Sequence, residues 1–175
     1  MKYCAFLRGV NVNGTSMKMA EVGQVFAEAG MEQVSSVLAS GNILFSSDKS
    51  RGELKVILEK AMADYFNYDA FLFLRDDKEI KEMVESNPFE KSTEKHIYLF
   101  TGVDDVEKLL LEAFENSDST EGEEGRIVCR TFYWQIPKGD TLGSSFGKIL
   151  GKKSMKDKMT SRNLNTFEKV LKKIQ

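Results

Sequence analysis

Apolar and polar positions along the chain alternate with two different periods, and the switches between them mark the elements. Tyr3 to Leu7 is a short apolar run and predicts a strand, leading into a glycine- and asparagine-rich loop from Arg8 to Gly14. Met19, Val22, Val25, Phe26 and Ala29 keep helical spacing, so a helix is expected from about Ala20 to a stop at Gly30. Val34–Ala39 and Asn42–Ser47 read as two strands joined by a tight turn at Ser40-Gly41. Ser50 and Glu53 form a capping-box pattern. The helix it opens carries Leu54, Ile57, Leu58, Ala61, Met62 and Tyr65 in one stripe. The near-continuous apolar run Ala70–Leu74 then predicts a buried strand.

This order, β-α-β-β-α-β, is the split βαβ or ferredoxin-like arrangement, in which two helices cover one face of an antiparallel sheet. A short helix from Asp76 to about Ser86, closed by Asn87-Pro88, acts as a connector, and then the pattern restarts. His96–Thr101 is a strand. Asp104 is expected to cap a helix whose core face is Val106, Leu109, Leu110, Ala113 and Phe114. Ile127–Arg130 and Phe132–Ile136 are strands, and Leu142, Phe146, Ile149 and Leu150 line a helix stopped by Gly151. No final strand is evident in the basic stretch Lys152–Ser161, and Leu164, Phe167, Val170, Leu171 and Ile174 mark a closing helix. The expected fold is therefore α+β: two fused ferredoxin-like subdomains with antiparallel sheets plus a C-terminal helix. Residues 1–75 form the first subdomain, 76–95 a connector helix and loop, 96–151 a second, incomplete subdomain, and 152–175 a basic segment and helix.

Composition narrows the class. No stretch approaches the roughly 18 apolar residues of a membrane helix, and the apolar start is too short for an export signal. A cytoplasmic protein is expected. Cys4 and Cys129 are isolated among apolar neighbours and read as buried small hydrophobes. One histidine, His96, and no Cys/His cluster leave no zinc site, so no metal or other cofactor is expected. Charge is uneven. Residues 1–125 carry a net −11 and residues 126–175 a net +9. Such asymmetry either marks an anion-attracting surface or balances the acidic stretch Asp104–Glu124 within one molecule.

Several motifs then fall together: Leu7-Arg8-Gly9-Val10-Asn11-Val12-Asn13-Gly14, Ser40-Gly41-Asn42, Asn87-Pro88-Phe89, and Thr160-Ser161-Arg162-Asn163 with Thr166 and Lys169. They resemble the bacterial domain of unknown function 1697 family, with its L-R-G-x-N-V-G-G loop, S-G-N hairpin and T-x-R-N-x-x-T-x-x-K terminal motif, spread over the whole chain. Asn13 stands where the family pattern has glycine, a departure that left-handed backbone tolerates. The resemblance implies a fold built from ferredoxin-like subdomains and no established activity.

Three of these motifs could form a site. Gly9 and Gly14 have phosphate-loop spacing, but the Lys-Ser/Thr that should follow is missing. A loop of this kind still offers backbone N–H groups to an anion, with Arg8 available for a bidentate contact and Asn11 and Asn13 as turn residues or ligand contacts. Ser40 and Asn42 are ordinary turn residues unless the hairpin tip faces that loop. Arg162, Asn163, Thr166 and Lys169 place a polar stripe on the closing helix, capped by Thr160 or Ser161. That stripe either ties the helix down or joins Arg8 around one anionic ligand.

Catalytic constellations are poor. His96 reads as a mid-strand core residue, and the carboxylate pairs Asp76-Asp77 and Asp104-Asp105 sit at helix starts, where capping explains them. The expected function is binding of a phosphate-bearing ligand, a nucleotide or a nucleic acid. The alternatives are an enzyme acting on a small phosphorylated or carboxylate metabolite, and a structural or interaction protein that covers apolar surface in a homo-oligomer. No membrane partner is expected.

Overall fold

The computed structural model describes residues 1–10 and 16–175. In chain order the elements are β1 (Lys2–Arg8), α1 (Met19–Glu28), β2 (Glu32–Ser36), β3 (Asn42–Ser46), α2 (Arg51–Phe66), β4 (Phe71–Asp76) and α3 (Asp77–Glu85). Then come β5 (Lys95–Gly102), α4 (Val106–Glu115), β6 (Glu124–Val128), β7 (Thr131–Pro137), α5 (Ser145–Leu150), a 3₁₀ turn (Lys153–Met155), β8 (Met159–Asn163) and α6 (Leu164–Ile174). Two compact units result: residues 1–80 with 169–175, and residues 81–168.

In the first unit the strand order is β2-β3-β1-β4, with antiparallel pairing throughout. Strand alternation puts Tyr3, Ala5 and Leu7 of β1 on one face. There they form a core with Val22, Val25 and Phe26 of α1 and Leu54, Leu58 and Met62 of α2. The expected capping box is present: the Ser50 side chain accepts from the Glu53 N–H, and the Glu53 carboxylate accepts from the Ser50 N–H. Tyr65 leaves the expected stripe and is half exposed, because the last turn of α2 runs past the sheet-covering row Leu54-Leu58-Met62. Asp76 and Glu79 form a second reciprocal cap at the start of α3, each side chain accepting from the other's N–H at 2.9 Å.

The second unit repeats the scheme with order β6-β7-β5-β8, again antiparallel. Its core is aromatic. Phe146 of α5 lies 5.0 Å from Trp134, 5.4 Å from Phe114 and 5.7 Å from Phe132, all edge-on.

Here the structure departs from the sequence reading in several places. The basic stretch does not remain irregular: residues 159–163 are β8, paired with β5 from Tyr98↔Asn163 to Gly102↔Met159. This edge strand is Met-Thr-Ser-Arg-Asn, too polar to show an apolar period, and its pairing with β5 defines it. Thr160 and Ser161 therefore lie in a strand and cap nothing. Leu142 is 88% exposed, because Ser144 caps α5 by accepting from the Gly147 N–H at 2.9 Å and the helix begins after it. Asp104 does not cap α4. The residue before the helix is Asp105, in left-handed backbone (φ 60°), and its carboxylate pairs with Lys108. Leu109, expected on the core face, is 37% exposed, whereas Val106 and Leu110 are buried.

Cys4 is buried as expected, but Cys129 is exposed. The β6–β7 register pairs Val128 with Thr131, leaving Cys129-Arg130 as a two-residue turn with φ of 46° and 60°. Such a turn suits Asn-Gly far better than Cys-Arg, whose side chains resist positive φ. Replacing Cys129-Arg130 by Asn-Gly is therefore expected to raise stability by about 1 kcal/mol, read as a higher melting temperature.

Candidate functional site

β5, β7 and β8 meet at one end of the second unit, where their register brings together residues far apart in sequence. Lys95 pairs with Pro137, and the Lys138 N–H donates to the Glu94 carbonyl at 2.9 Å, so Lys95 and Lys138 flank the same opening. β8 ends there at Asn163, and α6 begins with Leu164. The opening is a pocket of about 330 Å³ lined by Lys91, Ser92, Thr93, Lys95, His96, Ile97, Lys138, Asn163, Leu164 and Asn165. Its wall holds three lysines and no carboxylate. Lys91 is also paired with Glu168 of α6 at 2.5 Å.

Asn163 organises the pocket wall. Its Oδ1 accepts from the Asn165 N–H at 3.0 Å, capping the first turn of α6. That fixes the amide orientation, so Nδ2 is the atom 3.0 Å from His96 Nδ1. An amide nitrogen only donates, so His96 Nδ1 is the acceptor of this bond. His96 is thus half-buried at the second position of β5, held by Asn163 and set against the Tyr98 ring at 5.8 Å. It is not the core residue that its apolar neighbours suggest. The positive end of the α6 dipole adds to the lysine charges on the same wall.

The sequence-derived site residues divide between the units. Arg8 is the half-buried last residue of β1, paired with Phe71, and burial lowers its guanidinium pKa below the ordinary value. Gly9 has a left-handed backbone, φ +76°. Asn11, Asn13 and Gly14 lie outside the described residues. The turn before β3 lies against Val10, at the described start of the first loop. The Leu7 N–H donates to the Gly41 carbonyl at 2.8 Å, and the Gly41 backbone sits against Val10 and Leu7. Within that turn Asn42 is fully buried, its Nδ2 donating to the Val37 carbonyl and to Ser40 Oγ, both at 2.9 Å. Ser40 and Asn42 are thus the hydrogen-bonded frame of a turn.

Arg162 lies in β8, not on the closing helix, and its Nη1 donates to Thr160 Oγ1 and the Ser161 carbonyl at 2.8 Å each. Thr166 is half-buried and Lys169 exposed on α6. Arg162, Asn163 and Thr166 belong to the second unit, Arg8 and Lys169 to the first. Of these residues only Asn163 lines the lysine pocket. Lys91, Lys95, Lys138 and Asn165 were not legible as site residues, since only the strand register assembles them.

A model of the family described as "Protein of unknown function (DUF1697)" matches residues 1–133. The chain belongs to this family. The matched span stops short of β8, so the terminal motif containing Asn163 lies beyond it. No curated protein matches the chain. Among solved structures, the conserved bacterial protein SP0830 from Streptococcus pneumoniae superposes with a TM-score of 0.79 at 24% identity. The match covers 99% of this chain and 98% of that one, and at this identity it shows that the fold is shared. Among the described residues no three His, Cys, Asp or Glu side chains are grouped to hold a metal ion, and no helix is long and apolar enough to cross a membrane.

Proposed function

We propose that this DUF1697 member, read as a pair of ferredoxin-like units, is a cytoplasmic bacterial binding module for a phosphate-bearing ligand of nucleotide size. The lysine pocket of the second unit is its site. What carries the reading is the pocket wall: Lys91, Lys95 and Lys138 with His96 and the start of α6, and no lining carboxylate. A volume of about 330 Å³ falls within the range of small-molecule sites and suits one nucleotide or phosphosugar. The lysine ammonium groups and the positive end of a helix dipole are ordinary phosphate partners. Stacking of RNA bases on the sheet, a common use of four-stranded sheets, is disfavoured because Tyr133 and Trp134 are 0% and 1% exposed.

A thermal-shift screen of nucleoside mono- and diphosphates, sugar phosphates and organic acids tests the reading. A ligand held at about 100 times its Kd is expected to add roughly 2.7 kcal/mol to stability. The double variant Lys95→Gln/Lys138→Gln should abolish that shift while melting as the unmodified protein does without ligand. No stabilisation by any phosphate, or a shift that survives in the double variant, refutes the site.

A further inference from the structure

We propose that the α5–β8 connection of the second unit is a docking surface for the sugar–phosphate backbone of a nucleic acid, bound without regard to sequence. Residues 148–158 read Lys-Ile-Leu-Gly-Lys-Lys-Ser-Met-Lys-Asp-Lys, with five lysines against one carboxylate. The backbone that carries them is fixed. Phe146 and Met155 are buried in the aromatic core, Ser144 caps α5, and the Lys158 carbonyl accepts from the Val103 N–H at 2.9 Å. With these anchors turned inward, Lys148, Lys152, Lys153 and Lys156 are exposed, and Lys158 is half-buried. Among the described residues none of the five takes part in an ion pair, and the segment's own carboxylate, Asp157, is exposed. A cluster of five lysines offset by the single carboxylate of Asp157 attracts a polyanion and releases that polyanion's counterions on contact.

The cluster is built of lysines, point charges that meet phosphates without the fork geometry that reads base edges. An anionic membrane would need apolar side chains to enter it. Within the segment Ile149 and Leu150 are half-buried and Met155 is buried, and beside it, among the described residues, the one exposed large apolar side chain is Val103, whose N–H donates to the Lys158 carbonyl. The exposed Leu142 stands before the helix, at the end away from the lysines of the 3₁₀ turn. This surface is separate from the pocket. The segment enters β8 at Met159, whereas the pocket lies at the other end of the strand, at Asn163.

The test is fluorescence anisotropy with the full chain and a labelled DNA duplex of arbitrary sequence, repeated across a series of KCl concentrations. For four neutralised phosphates the logarithm of affinity should fall against log salt with a slope of about −3 to −4, roughly a 10²-fold loss between about 50 and 200 mM. The variant K148Q/K152Q/K153Q/K156Q should lose most of the binding and most of the slope while keeping the parent melting temperature. Lys95→Gln/Lys138→Gln should keep both binding and slope, so failure of the pocket and failure of this surface give different results. The proposal is overturned by absence of binding at low salt, or by a quadruple variant with the parent slope. Capture by phosphatidylglycerol vesicles without duplex binding would overturn it equally.

Discussion

Alanine at position 102 is expected to lower the stability of the second unit by about 3 kcal/mol, the upper range for overpacking. A Cβ built on Gly102 would stand 2.2 Å from the Lys158 carbonyl oxygen and 3.0 Å from Met159 Cβ and Val106 Cγ2. The nearest atom is backbone, so no side-chain rotation relieves the contact. The Lys158 carbonyl also accepts from the Val103 N–H, and Gly102 pairs with Met159 at the head of β8. Moving it therefore opens the β5–β8 ladder from its first pair. The effect should appear as faster amide exchange along Met159–Asn163 and a clearly lower melting temperature. Unchanged exchange there would show that the ladder does not depend on this close approach.

A comparable loss, about 3 kcal/mol, is expected in the first unit for Gly41→Ala, from two causes that add. The residue has φ +79°, a conformation that side chains resist, and its Cβ would come within 2.6 Å of Val10 Cγ2 and 3.0 Å of Leu7 Cβ. Gly9→Ala is the control. It shares the positive φ at +76° but has nothing within 4 Å among the described residues, so only the conformational part remains, about 1 kcal/mol. Urea unfolding of the two variants should show Gly41→Ala clearly the weaker. Equal losses would mean that Val10 yields and the turn does not press on the first loop.

The contrast between these two glycines shows where sequence reasoning reaches its limit. Helix α2 was legible because its cap and its stripe are local, set by residues at most a few turns apart. β8 was not, since an edge strand with a single large apolar residue carries no period and is defined by pairing with β5, some 60 positions earlier. The hairpin turn Cys129-Arg130 hid for a different reason. Neither residue is a turn former, so both read as the end of the first strand and the break fell one residue late, at Thr131. At the candidate site Asn163 could be singled out from its motif, whereas Lys91, Lys95 and Lys138 are unremarkable surface lysines until the β5–β7 register sets them around one opening. Arg162 was singled out for its charge, yet its Nη1 donates to neighbours on its own strand.

The first unit is discontinuous: its compact body includes residues 169–175. Lys2 Nζ donates to the Ile174 carbonyl at 2.9 Å and to the Gln175 carbonyl at 3.2 Å, and Lys173 Nζ donates to the Ser36 carbonyl at 2.8 Å. On a ribosome residues 81–168 emerge before residues 169–175 exist. The half of the molecule translated first is thus the half completed last, with its strands and helices waiting on residues 169–175 while the other half already has all its residues.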